Sequence, residues 1–171
     1  ETARRVMRDH MEGAETQIVN GTEFVTGTLS GQPVVLFLSG VSMVNAAMTT
    51  QLALDRFQID AIVFSGIAGG VDPSLNIGDV VVAGQWGSYL ESIMARETDG
   101  GFAIPPFLDS PFPNYGMIFT SETTVASDRG QPESRFWFPV DEILLQTARG
   151  VADSTELADC NAENACLDRT P

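Results

Sequence analysis

Positive charge and histidine are scarce in this sequence. Lysine and arginine together number 9 against 23 aspartates and glutamates, which gives a formal net charge of -14 at pH 7, and there is 1 histidine. A surface of this charge repels the phosphates of nucleic acids and of anionic lipids, so we expect neither a nucleic acid nor a membrane as a partner. The plain interpretation of the acidic excess is solubility.

Long apolar runs are also missing. A membrane-spanning helix needs about 18 apolar residues, whereas the longest apolar run, Pro33 to Leu38, has the length of a strand. The chain opens at Glu1 with no methionine and no signal peptide. A trimmed or mature amino terminus fits this start, so the missing signal does not establish a cytoplasmic location.

Cysteine is limited to Cys160 and Cys166, which lie in one polar loop. A disulfide across this loop would contribute roughly 2 kcal/mol on the chain-entropy model. We favour it over two free thiols, and with it a periplasmic or secreted location over a cytoplasmic one. No zinc site is expected, because such sites normally use four ligands and His10 is far away in sequence. His10 lies on a polar helix face, where we expect it to be exposed and inert.

The first half of the chain alternates helical and strand patterns. Thr2 to Met11 predicts a surface helix, Thr22 to Thr28 a strand, and Val34 to Leu38 a strand covered on both faces. Ser42 is well placed as the N-cap of a helix that runs to about Phe57. The predicted apolar face of this helix comprises Val44, Ala47, Met48 and Leu52.

Further apolar segments follow that helix. Asp60 to Ser65 and Gly78 to Ala83 predict two more buried strands, and this strand–helix–strand order indicates an α/β fold with some parallel pairs. From Gly87 to Gln131 the periodicity disappears, which is typical of a functional or disordered loop. The 171 residues show no repeat and no second boundary, so we predict one domain over residues 1–171. A last helix, Val140 to Val151, has on one side Val140, Ile143, Leu144 and Ala148.

Two glycine turns follow the two longest apolar strands. They are Ser39-Gly40-Val41-Ser42 and Ser65-Gly66-Ile67-Ala68-Gly69-Gly70. Ligands of open α/β sheets bind beyond the carboxyl ends of the strands, and glycine lets a ligand approach backbone amides closely. Neither turn has the Gly-Lys-Ser/Thr of a Walker loop or the GxGxxG spacing of a dinucleotide site. We interpret the pair as a ligand site; the alternative is that the glycines only form tight turns.

Three motifs stand in order between Asn20 and Glu91: SGVSMVNAAMTTQ, IVFSGIAGGVDPSL and IGDVVVA. This stretch, nearly half of the chain, resembles the nucleoside phosphorylase/nucleosidase superfamily. Within it, the stretch is most similar to the methylthioadenosine/S-adenosylhomocysteine nucleosidase branch and its secreted relatives. The resemblance implies a three-layer α/β/α fold around a mixed central sheet. Measured against that pattern, the first strand and the carboxyl-terminal part are missing, so we expect an incomplete fragment of the domain.

The resemblance also implies the residues of a site. The counterparts of Ile67, Ala68 and Gly69 lie against the base and ribose of a nucleoside, and that of Val41 lies near the sugar. Glu1 is the match to a glutamate that places the attacking water, with a frayed surface residue as the alternative. The resemblance does not extend to the family's later Met-Glu and Ser-Asp motifs, which hold the ribose and protonate the purine. This acid/base chemistry needs neither a metal nor an organic cofactor.

The function implied by the resemblance is hydrolysis of the N-glycosidic bond of a purine nucleoside or thionucleoside. A homo-oligomer, a dimer or larger, is expected, with Phe102 to Phe112 as the candidate segment that covers a neighbouring site. Phe136, Trp137 and Phe138 are expected to be packing residues. Phosphorolysis is the nearest alternative, but no arginine stands in or beside either glycine turn in sequence, and Arg56 is at the far end of the helix. A non-catalytic nucleoside-binding or storage protein is the third alternative.

Overall fold

The structure, a computed structural model, describes residues 2–126 and 130–158 together with Cys160 and Cys166. The chain forms two compact units, Glu1–Gly69 and Gly70–Pro171. The single domain over residues 1–171 stays a prediction.

The first unit is built on a three-stranded antiparallel sheet. One helix precedes the sheet and another follows it. The bounds are α1 Thr2–Asp9, β1 Glu12–Val19, β2 Thr22–Leu29, β3 Gln32–Phe37 and α2 Met43–Arg56. The strands pair in the order β1, β2, β3.

Two-residue turns set the register of this sheet. Asn20-Gly21 joins β1 to β2, and Ser30-Gly31 joins β2 to β3. The four φ angles are 48° and 79° in the first turn and 51° and 79° in the second. Two consecutive positive φ angles match the right-handed twist of the flanking strands, which is why Asn-Gly and similar pairs are favoured in hairpins.

The core of the first unit is an aromatic cluster on β2. Phe24 and Val25 are fully buried, and the Phe24 ring centroid lies 5.2 Å from that of Phe37 and 5.3 Å from that of Phe57. Ala53 of α2 is 1% exposed. Phe57 is the C-cap of α2. This cluster therefore ties the end of the helix to the sheet.

The structure confirms the helix predicted after Ser42 but corrects its packed face. Ser42 is the N-cap, and its hydroxyl accepts the backbone N–H of Asn45 at 3.4 Å. Val44 and Met48, predicted to be packed, are 68% and 67% exposed. The helix carries apolar residues on more than one side. Ala53 is the buried one because it lies next to the aromatic cluster at the helix end.

The strands predicted at Asp60–Ser65 and Gly78–Ala83 are not formed. Within the described part of the chain, residues 57–84 contain no helix or strand, and every pairing of strands is antiparallel, so the expected parallel pair is wrong. A strand needs a neighbour to accept and donate its backbone hydrogen bonds. Without one, Val63 and Phe64 remain 84% and 64% exposed. The α/β class itself is confirmed by the three helices and the sheets among the described residues.

The second unit consists of short antiparallel ribbons and one helix. The stretch expected to be irregular contains three-residue strands, which are too short to show a periodicity in sequence. The bounds are β4 Gln85–Gly87, β5 Ser92–Met94, β6 Arg96–Thr98, β7 Gly101–Ala103, β8 Ile118–Thr120, β9 Thr123–Val125, β10 Glu133–Arg135, β11 Trp137–Pro139 and α3 Glu142–Ser154. Each ribbon has two strands: β5 pairs with β8, β6 with β7, β9 with β10, and β4 with β11.

Helix α3 confirms the last predicted helix. Its N-cap is Asp141, whose carboxylate accepts the backbone N–H of Leu144 at 2.9 Å. The half-buried residues are Leu145 and Ala148, whereas Ile143, predicted on the packed face, is 76% exposed. None of the described helices is long and apolar enough to cross a bilayer.

Two local features complete the second unit. Cys160 and Cys166 form a disulfide, as favoured above over two free thiols. In the turn after Gly70, Asp72 Oδ1 accepts the backbone N–H of Ser74 at 2.8 Å and its hydroxyl at 2.7 Å. These two hydrogen bonds, the backbone one first, hold the pKa of Asp72 below its usual value, against an opposing effect of desolvation.

Candidate functional site

A groove of about 410 Å³ opens in the first unit where β3 ends and α2 begins. Both backbone and charged side chains form its walls. The lining residues are Arg4, Gly21, Thr22, Glu23, Leu38, Ser39, Gly40, Asn45 and Thr49. The groove thus includes the start of the first glycine turn.

The first glycine turn is closely packed against α2. Gly40 has a φ of 78°, and a Cβ at this position would lie 3.1 Å from Cβ of Asn45. The Asn45 side-chain amide donates to the carbonyl of Val41 at 2.6 Å. Glycine is required at position 40 for two reasons: its backbone conformation and the nearness of Asn45.

A pair of opposite charges forms one wall of the groove. Nη1 of Arg4 donates to Oε1 of Glu23 at 2.7 Å, and the two side chains are 17% and 35% exposed. Nη1 of Arg8 lies 3.3 Å from the same oxygen. Arg8 also donates to the Thr16 hydroxyl at 3.3 Å. One carboxylate oxygen is therefore shared by two guanidinium groups.

The sequence did not indicate a role for these charged residues, because the pattern of α1 predicts a polar surface helix. The signal for them was the spacing of Arg4 and Arg8, which lie four residues apart on one helix face. Their partner, Glu23, stands on β2 and is distant in sequence. No arginine is near a glycine turn in sequence. In the folded chain, however, Arg4 lines the same groove as Gly40.

The second glycine turn has a different conformation. Gly66, Gly69 and Gly70 have no φ in the left-handed region, unlike Gly40. A Cβ on Gly66 would lie 2.9 Å from Cζ of Phe64, so this glycine makes room for an aromatic ring. A Cβ on Gly69 would meet no atom within 4 Å.

The structure places the predicted substrate-binding residues at the surface. Val41 is 89% exposed and Ile67 is fully exposed; Ala68 and Gly69 are exposed as well. Among the described residues, those that line the groove include Ser39 and Gly40 but none of these four. Glu1, the predicted water-positioning residue, lies outside the described residues. The roles of all five stay predictions.

His10 and the aromatic residues of the second unit have local structural contacts. Nδ1 of the exposed His10 lies 2.8 Å from the carbonyl of Val6, within its own helix region. Phe112, Phe136 and Trp137 form a ring cluster, with centroid distances of 4.8 Å, 6.1 Å and 4.7 Å, which agrees with the packing role expected for Phe136 and Trp137. In the described part of the chain, no group of three or more acidic, histidine or cysteine side chains is arranged to hold a metal ion.

Comparison with known proteins gives one family match. The model of the family described as "Phosphorylase superfamily" matches residues 4–159. The chain is 47% identical over 79 residues to a protein of Bacillus thuringiensis (strain Al Hakam) named 5'-methylthioadenosine/S-adenosylhomocysteine nucleosidase; the match covers 46% of this chain and 34% of that protein. A protein of the same name from Bacillus cereus (strain B4264) is 46% identical, with the same coverage. The chain spans about a third of the length of these curated relatives.

A solved structure also shares the fold. It is the 5'-methylthioadenosine/S-adenosylhomocysteine nucleosidase of Neisseria meningitidis in complex with methylthio-immucillin-A. The TM-score is 0.61 at 24% sequence identity, and the match covers 88% of this chain and 53% of that one. This similarity supports the α/β fold assigned above.

Proposed function

Since the chain belongs to the phosphorylase superfamily, whose family model matches residues 4–159, we propose that the protein hydrolyses the N-glycosidic bond of a purine nucleoside or thionucleoside. The observation that carries this proposal is the 47% identity over 79 residues to proteins named as nucleosidases of 5'-methylthioadenosine and S-adenosylhomocysteine. Their names supply the substrate class: an adenine nucleoside with a sulfur-bearing 5' substituent.

The proposal gives each predicted residue a role that fits this chemistry. Cleavage passes through an oxocarbenium-like sugar, so a carboxylate must orient water and an acid must protonate the departing base. In this proposal Glu1 orients the water and Val41 lies near the sugar. Ile67, Ala68 and Gly69 lie against the base and ribose. The open space around Gly69 supports this role, because a planar base can approach a backbone that carries no side chain.

Phosphorolysis is the second candidate, and one observation favours it. Arg4 lines the groove beside Gly40, and arginine is the side chain best suited to bind phosphate. The guanidinium of Arg4 is, however, paired with the Glu23 carboxylate at 2.7 Å. Hydrolysis is therefore placed first.

The experiment is an assay of base release in the presence and absence of inorganic phosphate. Purified protein is incubated with 5'-methylthioadenosine, and free adenine is measured by chromatography. We expect the same rate of adenine release with and without phosphate. Strict dependence on phosphate would replace the hydrolase by a phosphorylase. Binding of the nucleoside without release under either condition would indicate a binding or storage protein.

A substitution at Gly69 tests the predicted base contact. We expect Gly69→Val to lower kcat/KM for adenine release by about tenfold or more, because a side chain would occupy the space of the base. The variant should fold normally, since Gly69 has no neighbour within 4 Å and no left-handed φ. Gly130→Val is the matched control, because Gly130 has the same two properties. Equal activity of both variants would remove Gly69 from the site.

We further propose a homo-oligomer and a periplasmic or secreted location. The disulfide between Cys160 and Cys166 supports the location, because such bonds persist in oxidising compartments. Light scattering of the purified protein measures the assembly. A monomer at micromolar concentration would contradict the first proposal.

A further inference from the structure

The nucleosidase chemistry does not require the charged wall that Arg4 and Glu23 form in the groove. We propose that Glu23 is a specificity-determining residue that keeps inorganic phosphate out of the groove and so reserves it for water. This inference rests on the proposed function. It concerns which nucleophile the groove admits.

The geometry supports it through the state of Arg4. Its side chain is only 17% exposed, so it is held in place at the groove rather than moving in solvent. Its Nη1 donates to Glu23 Oε1 at 2.7 Å, and Arg8 Nη1 lies 3.3 Å from the same oxygen. A phosphate would need these same donors. With Glu23 ionised, its Oε1 engages Nη1 of both arginines, and its negative charge opposes the approach of a phosphate to these donors.

The choice of nucleophile decides the product. In hydrolysis the oxygen of water bonds to C1' of the sugar as the bond from C1' to the base nitrogen breaks. The water gives up a proton, the base gains one, and the free sugar is released. In phosphorolysis a phosphate oxygen forms the bond to C1' instead, and the product is a sugar 1-phosphate. In this proposal the attacking oxygen reaches C1' from the groove in either reaction, so the partner of the Arg4 guanidinium decides which nucleophile is admitted.

Direct binding of inorganic phosphate tests the inference without depending on catalysis. We expect titration calorimetry of Glu23→Gln with phosphate to show affinity about tenfold higher than that of the wild type, since the Glu23 carboxylate no longer competes for the two guanidinium groups. Glu15→Gln is the matched control: it removes the same charge from an exposed position on the neighbouring strand β1. We expect phosphate affinity of the control to equal that of the wild type.

A double variant links the effect to Arg4. Arg4→Gln combined with Glu23→Gln should lose the gain in phosphate affinity. A thermal transition confirms that each variant is folded. Should Glu23→Gln fail to fold, Glu23→Asp supplies the test, because a shorter carboxylate withdraws from Arg4; a smaller rise in phosphate affinity is then expected.

The outcomes separate this inference from the proposed function. Equal phosphate affinity in the wild type, the Glu23 variant and the Glu15 control overturns the inference, whatever the rate of adenine release. A gain in phosphate affinity confined to the Glu23 variant supports the inference even where no adenine is released, and the hydrolase proposal alone would then fail. Formation of a sugar 1-phosphate by the Glu23 variant would support both.

Discussion

Ser42 combines two demands at a single residue. Its hydroxyl caps α2 by accepting the Asn45 N–H at 3.4 Å, while its own backbone has a φ of 92° and a ψ of 154°. This conformation is essentially restricted to glycine and costs about 1–3 kcal/mol for other residues. The cap is recognisable from the sequence. The strained backbone is not, because it follows from how β3 and α2 are joined.

Substitution of Ser42 separates the two effects. We expect Ser42→Gly to raise the free energy of unfolding by about 1 kcal/mol, because glycine relieves the strain and costs only a few tenths of a kcal/mol as an N-cap. Ser42→Ala keeps the strain and removes the cap, so it should lower the free energy of unfolding by about 1 kcal/mol. Urea denaturation of the three proteins measures both. Destabilisation of equal size in the two variants would show that the backbone at Ser42 is not strained.

At the scale of elements, the first unit depends on the contact between β2 and the end of α2. Phe24 is fully buried and its ring meets Phe37 and Phe57. Few other residues of this unit are buried, namely Val25 and Ala53 among those described. In so small a core, few side chains can move to fill the cavity that a lost aromatic ring would leave.

Removal of the Phe24 ring tests this dependence. We expect Phe24→Ala to lower the free energy of unfolding by about 3–5 kcal/mol, because the favourable burial of the ring is lost and a cavity is left in its place. Ile18→Ala on β1 is the control: Ile18 is 71% exposed, and a change within about 0.5 kcal/mol is expected. Chemical denaturation followed by circular dichroism measures both. A loss at Phe24 no larger than at Ile18 would move the core of the first unit elsewhere.

The element scale also shows where local patterns were sufficient. Helices α1, α2 and α3 and strands β2 and β3 match predicted segments, since capping residues and apolar spacing act within a few residues. Strand β1 was missed, because its exposed sequence EGAETQIV shows no clear alternation. The predicted packed face of α2 was wrong. The helix has apolar residues on more than one side, and the position of the aromatic cluster on β2 decides which side is buried.

At the scale of the whole molecule, order is distributed unevenly along the chain. Residues 22–29 and 32–37 lie in paired strands, whereas residues 57–84 contain no helix or strand. In the part of the chain that the structure describes, no backbone group accepts the N–H groups of residues 61–63. Protection from hydrogen exchange should follow this division.

Hydrogen exchange measured by mass spectrometry or NMR tests the division. We expect the amides of Ala61 to Val63 to exchange within seconds at neutral pH, and those of Phe24 and Val25 to be protected at least about a thousandfold more. The two segments are comparably apolar, so composition does not account for the difference. Strong protection at Ala61 to Val63 would mean that the strand predicted over Asp60–Ser65 forms in solution.

The sequence by itself determined the α/β class, the three helices, strands β2 and β3 and the family, because each of these depends on neighbouring residues or on a contiguous motif. Only the tertiary structure decided that Arg4 and Glu23 meet beside Gly40, that Val44 and Met48 face outward, and that residues 60–65 have no strand partner. These features depend on pairing between distant segments. Such pairing is set by the competition among all possible burial partners, and no local spacing encodes it.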